Sequence, residues 1–191
     1  MTALVIVLRV VSLLAFAALM SLGVRGGQGQ ARPPVRKQRG PRAPLVANLA
    51  VLGLFFLSLP IFADSFGGSP ALPLAATGSS LAIAGAAFVI RSRAALGPAW
   101  SLVPKADQVT GLVTTGPYRR VRHPIYLGFI LLATGQALAF GSWPALMIVP
   151  FGILPTFAWR AYAEERLLGE MFGARYAAYR QRTAMIIPYL L

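Results

Sequence analysis

The sequence predicts an all-α, polytopic membrane protein of about five transmembrane helices, and three observations carry that prediction. The 191 residues are 57% hydrophobic and only 12% charged, where soluble domains run near 45–50% apolar and about 25% charged. Mean hydropathy is +0.66. The apolar residues gather into five segments, 4–24, 45–63, 72–90, 125–140 and 144–159, separated by short polar or basic stretches. At this length a single domain over 1–191 is expected, with three helices in 1–90 and a motif-bearing half in 91–191.

The first three segments are long enough to cross a hydrocarbon core of about 30 Å, which takes roughly 20 helical residues. Segment 4–24 has the length of a signal peptide. Arg9 interrupts its apolar stretch, however, and no small-x-small cleavage site precedes Arg25, so a retained helix is expected. In the third segment Gly78, Ala82 and Ala86 recur at four-residue spacing, a pattern that lets helices approach closely in lipid. The last two segments are short, and Gly141, Ser142 and Trp143 alone separate them. They read as a tight helical hairpin. Pro150 and Pro155 are expected to kink its second arm, because each removes a backbone donor and crowds the preceding turn.

Lys and Arg total 18 against 5 acids, a net charge of +13. Residues 26–44 carry Arg32, Arg36, Lys37, Arg39 and Arg42, with Arg25 just before them. Residues 91–124 carry Arg91, Arg93, Lys105, Arg119, Arg120 and Arg122, and the tail has Arg160, Arg166, Arg175, Arg180 and Arg182. Arg9 is the one basic residue outside these stretches, and the intervening loops 64–71 and 141–143 have none. Positive loops stay cytoplasmic, so the N-terminus is expected outside, the C-terminus inside, and Arg9 snorkelling to the outer interface. Charges so distributed are topology signals and contacts for anionic membrane lipid, and no nucleic-acid partner is expected. Block 25–44, rich in Gly, Pro and Arg, is expected to be irregular, either resting on headgroups or gating a substrate. With no cysteine and one histidine, disulfides, thiolate nucleophiles and Cys- or His-rich metal sites are excluded.

Chemistry concentrates in two cytoplasmic clusters. The first runs Gly116-Pro117-Tyr118-Arg119-Arg120-Val121-Arg122-His123-Pro124-Ile125-Tyr126-Leu127-Gly128 and holds the sole histidine. Pro124 suits the first turn of the fourth helix, whose free N–H groups and dipole favour a carboxylate. The arginines fit an interfacial anchor equally well; the density around His123 favours function. The second cluster is Arg160, Glu164 and Glu165 just past the hairpin. Arg160 can pair with Glu164, and Arg166 with Glu170, one helical turn apart. An amphipathic interfacial helix would explain these pairs, but acids at membrane depth are costly and often functional.

Together these residues resemble the isoprenylcysteine carboxyl methyltransferase and phospholipid methyltransferase superfamily. The resemblance runs from about Arg91 to Pro188: Gly111 to Tyr118, Arg122 to Gly128, Glu164 to Leu168, then Phe172-Gly173, Tyr176, Tyr179 and Ile187-Pro188. It implies an S-adenosylmethionine-dependent membrane methyltransferase, reached by the donor from the cytoplasm and by a lipophilic acceptor from the bilayer. By that resemblance Tyr118, His123 and Tyr126 contact the donor, Gly116, Pro117 and Arg122 shape its pocket, and Glu164 lies beside it. Arg160 and Glu165 serve the acceptor as the catalytic pair, and residues 172–188 close the cofactor pocket. A carboxylate acceptor needs only a cation such as Arg160 to orient it, whereas an amine must lose a proton, for which Glu165 is the candidate base. Carboxylate O-methylation is the first expectation. Phospholipid N-methylation and a non-catalytic binding protein of the same fold are the alternatives. The short form implies a prokaryotic inner-membrane protein, for which a prenylated protein is not the expected acceptor.

Overall fold

The computed structural model describes residues 2–25, 42–67, 72–97 and 111–188. The expectations for the basic block lie outside them for residues 26–41, as does the stretch 98–110. Seven α-helices are described: α1 (Thr2–Arg25), α2 (Arg42–Ile61), α3 (Leu72–Leu96), α4 (Pro124–Phe140), α5 (Trp143–Ile148), α6 (Leu154–Phe172) and α7 (Ala174–Arg180). A 3-10 turn occupies Gly116–Arg119, and a π-helical turn, Val149–Ile153, joins α5 to α6. The described residues hold no β-strand. Three spans are long and apolar enough to cross a membrane: Ala43–Ile61, Leu72–Leu96 and Trp143–Phe172; Ala3–Ala17 and α4 are shorter apolar helices.

The hairpin forms as expected, with Gly141 turning the chain at φ 63° and Ser142 capping α5 through the Ala145 amide. Its second arm is a different matter. Trp143–Phe172 runs as one 30-residue helical unit, not the short arm 144–159 that apolarity predicts. The apolar count stops at Arg160, whereas the helix continues because its charges pair with each other and with the 122–126 segment. Pro150 lies inside the π-turn and Pro155 just after it, in the first turn of α6, where each withholds a helical N–H.

Helix α4 lies at the centre. Its glycines meet those of α3 with the backbones almost touching: a Cβ on Gly78 would lie 2.4 Å from Ala139 N, and one on Gly135 would lie 2.4 Å from Ala82 N. The predicted small-residue face is therefore the contact face, with Gly85 rather than Ala86 at the next close approach. Gly128, the last residue of the motif, belongs to the same seam, where a Cβ would strike Val89. On the other side α4 packs against α2, α5 and α6 through Phe55, Leu59, Ile130, Ile153 and Phe157. These contacts fix α4 against α6, and so set the two clusters beside one another.

At one end of the bundle the two turns without basic residues are laced together. The Asp64 amide donates to Phe140 O at 2.9 Å, Phe66 N to Gly141 O, and Trp143 N to Ser65 Oγ. Arg9 reaches into this end from α1, pairing with Asp64 at 2.5 Å and donating to Ala139 O and Phe140 O. Charge sorting placed loops 64–71 and 141–143 on one side; bonding between their described parts agrees.

Candidate active site

The opposite end carries the motif. Gly116 adopts φ 59°, which a Cβ would disfavour, and Pro117 fixes the next residue, so the 3-10 turn delivers Tyr118 inward, 6% exposed. Gly116 and Pro117 build this turn. Past Arg120, which closes the turn, the chain pairs in parallel with the C-terminal segment at a single bridge, Val121 opposite Ala184. Ala184 N donates to Arg120 O, Arg122 N to Ala184 O and His123 N to Met185 O, all at 2.8–3.1 Å. Residues 184–185 are thus strapped to the motif by backbone bonds. His123 closes the start of α4, accepting from the amides of Tyr126 and Leu127, with Pro124 at the first helical position.

Two polar networks meet at His123. In the first, the Tyr126 hydroxyl donates to Glu164 Oε1 at 2.6 Å, and Arg160 Nε donates to the same oxygen at 3.0 Å. The Arg160 guanidinium also lies over the Tyr126 ring, 5.7 Å from its centroid. In the second, Arg122 Nε donates to Glu165 Oε1 at 2.5 Å and its Nη1 donates to Thr183 O and Arg180 O. Arg180 Nε stands 3.5 Å from Glu165 Oε2. The imidazole bridges the two networks, Nδ1 3.6 Å from Glu164 and Nε2 3.6 Å from Glu165. Near the start of α4, Glu164 and Glu165 are held by side chains, those of Tyr126, Arg160 and Arg122.

His123, Tyr126 and Phe157 stack in succession, with centroids 5.4 and 5.0 Å apart. The tyrosines beyond the spans stay neutral donors at physiological pH. Burial, with help from the Glu165 and Glu164 charges respectively, pushes Tyr176 and Tyr118 far above the usual phenol range. Tyr179 is pushed up to about 12, chiefly by burial; its hydroxyl donates to Tyr118 O at 2.6 Å.

The structure thus gathers Tyr118, Arg122, His123, Tyr126, Arg160, Glu164 and Glu165 at one end of α4 and α6. The Arg160–Glu164 and Arg166–Glu170 pairs are found, the second exposed and loose at 3.6 Å. Arg160 bonds within the Tyr126–Glu164 network, while Glu165 bonds to Arg122 and lies near Arg180. Sequence reading missed Arg180 and the strap carbonyls. Such contacts span 58 to 61 residues and leave no periodic signature.

Residues 74–175, more than half of the chain, match the family model described as phospholipid methyltransferase. The chain belongs to that family. Over 79 residues it is 34% identical to the protein-S-isoprenylcysteine O-methyltransferase of Schizosaccharomyces pombe, covering 41% of this chain and 34% of that one. Over 78 residues it is 38% identical to methanethiol S-methyltransferase 1 of Bradyrhizobium diazoefficiens, covering 38% of this chain and 24% of that one. The matched part thus spans about a third or less of these relatives. A solved structure of the eukaryotic intramembrane Ras methyltransferase, isoprenylcysteine carboxyl methyltransferase, superposes with a TM-score of 0.60 at 22% identity. That likeness covers 76% of this chain and 52% of the other, and it concerns the fold.

Proposed function

We propose that this protein is an S-adenosylmethionine-dependent methyltransferase acting on a lipophilic acceptor at the cytoplasmic face of a prokaryotic inner membrane. In this reading α1 and α4 also cross the bilayer, for five crossings in all, with the N-terminus outside. The acceptor enters from the lipid side. One observation carries the reading: a buried histidine between the buried Glu165 and the half-buried Glu164, in a chain whose relatives are named methyltransferases.

The residues fit the donor. His123 Nε2, Glu165 Oε2 and the Tyr176 hydroxyl are buried without hydrogen-bond partners, and such atoms are costly to bury unless a ligand completes them. The bound donor would supply an electrophilic methyl on a sulfonium, transferred by in-line displacement. Tyr118, His123, Tyr126 and Glu164 are the proposed donor contacts, Arg122 with Gly116 and Pro117 shapes the pocket, and residues 172–188 close it. Arg160 and Glu165 are assigned to the acceptor. Arg160, held by Glu164, orients a carboxylate; Glu165 has Oε2 left to receive a proton from an amine. Holding acceptor and methyl in line supplies several kcal/mol of the barrier, of order 7 for a well-oriented pair.

Carboxylate O-methylation is the reaction favoured, because a cation stands ready and no base is needed. The family description supports phospholipid N-methylation as a second reading. Incubating the purified protein with methyl-labelled donor and the lipid extract of its source membrane tests both. A base-labile labelled ester supports the first reading and a labelled amine the second; no labelled lipophilic product would sink the proposal.

A further inference from the structure

Within the apolar span Ala43–Ile61 the polar side chains are Asn48 and Ser58. Ser58 bonds inside its own helix, to Phe55 O. Asn48, 2% exposed, reaches out of α2. With its amide nitrogen facing α6, it donates to Thr156 O and Thr156 Oγ1, both at 3.0 Å. The Thr156 hydroxyl in turn donates to Gly152 O at 2.9 Å. One turn along, Gly152 leaves room for Val51 of α2, whose Cγ1 a Cβ there would meet at 3.0 Å. A polar group so buried in an apolar span is costly, and its bonds point to a role beyond packing.

Asn48 grips α6 where that helix is least able to hold itself. Across the π-turn Leu154 N bonds back to Val149 O, five residues away, and Pro155 has no N–H to give. The regular bonds to the fourth residue back, which fix the rotation of a helix about its axis, are interrupted just below Thr156. Thr156, Arg160 and Glu164 then follow at single-turn spacing. Arg160 therefore stands one turn above the grip, bonded to Glu164 and set over the Tyr126 ring.

We propose that Asn48 is a positioning residue: it fixes how α6 is turned above the π-turn, and so where the Arg160 guanidinium stands for the acceptor. This rests on the reading of Arg160 as the acceptor's cation. A role in packing alone would be met as well by leucine, which is of similar size and has no polar group to bury.

The test compares turnover of wild type, Asn48→Leu, Arg160→Ala and the double variant, using methyl-labelled donor and the source membrane's lipid extract. Amide hydrogen exchange of α6 in detergent is measured alongside. Asn48→Leu should lower turnover at least about tenfold, because a misplacement of about 1 Å can cost roughly a hundredfold. In the Arg160→Ala background the same change should cost less than about twofold, since a residue acting through Arg160 has nothing left to place. Asn48→Gln, which keeps the donor amide, should recover part of the rate. Exchange over residues 156–164 should quicken in Asn48→Leu while that of α3 stays at wild type. Turnover of Asn48→Leu within about twofold of wild type overturns the proposal, and so does an equal loss in both backgrounds. Wild-type protein that yields no labelled product contradicts the methyltransferase reading instead. Exchange then decides the grip alone, and unchanged exchange in α6 overturns it.

Discussion

The two ends of the bundle hold similar chemistry to different purpose. At the Arg9 end, one guanidinium is shared among a carboxylate and two helix-terminal carbonyls, with Asp64 and Phe66 donating back to the turn after α4. The acid and base there complete one another. At the His123 end, three arginines, two glutamates and a histidine crowd together, yet His123 Nε2, Glu165 Oε2 and the Tyr176 hydroxyl have charged neighbours but no hydrogen-bond partner. A satisfied buried network is expected to hold structure, and a partly satisfied one to await a ligand. Gln136 Oε1, also without a partner, lies between α1 and α4 rather than in the site.

The sharpest way to break this contrast is Arg122→Ala. It leaves Glu165 charged and buried while releasing Thr183 and Arg180, so a loss of roughly 3–5 kcal/mol is expected. Thermal unfolding in detergent measures it, and proteolysis beyond residue 180 should accelerate. Gly135→Val tests the scaffold between the ends. Its side chain would meet the α3 backbone, and a cost of about 3 kcal/mol is expected, visible as a lowered unfolding temperature.

Arg9→Met probes the opposite end. Its charge-assisted bonds to carbonyls are worth about 2 kcal/mol, with little added by the partly exposed Asp64. Stability should fall while affinity for S-adenosylhomocysteine stays at wild type. A matching loss of affinity would mean that the ends are coupled. Tyr126→Phe is the smallest change: it deletes one hydrogen bond to Glu164 and should cost about 1 kcal/mol of stability, while lowering turnover by a larger factor than donor affinity.

Much of this contrast was visible in the chain itself. Charge sorting put the Asp64 and Gly141 turns together, and four-residue spacing exposed the Gly78–Ala82 face because helical periodicity is local. The motif and the Arg160–Glu164 pair were legible for the same reason. The Arg122–Glu165 bond and the Ala184 strap were not, since their partners are distant in sequence and each residue alone resembles an interfacial anchor. That the apolar arm and the Arg160–Glu170 helix form one continuous unit was hidden too, because apolarity marks lipid contact and not helix length.

The account turns on whether the unfinished end is a donor site, and isothermal titration of S-adenosylhomocysteine into wild type and His123→Ala asks that directly. Wild type should bind, and His123→Ala should lose at least about tenfold in affinity, since the histidine touches both carboxylates and stacks on Tyr126. Equal affinity in a folded His123→Ala protein would contradict the site, whatever the acceptor proves to be.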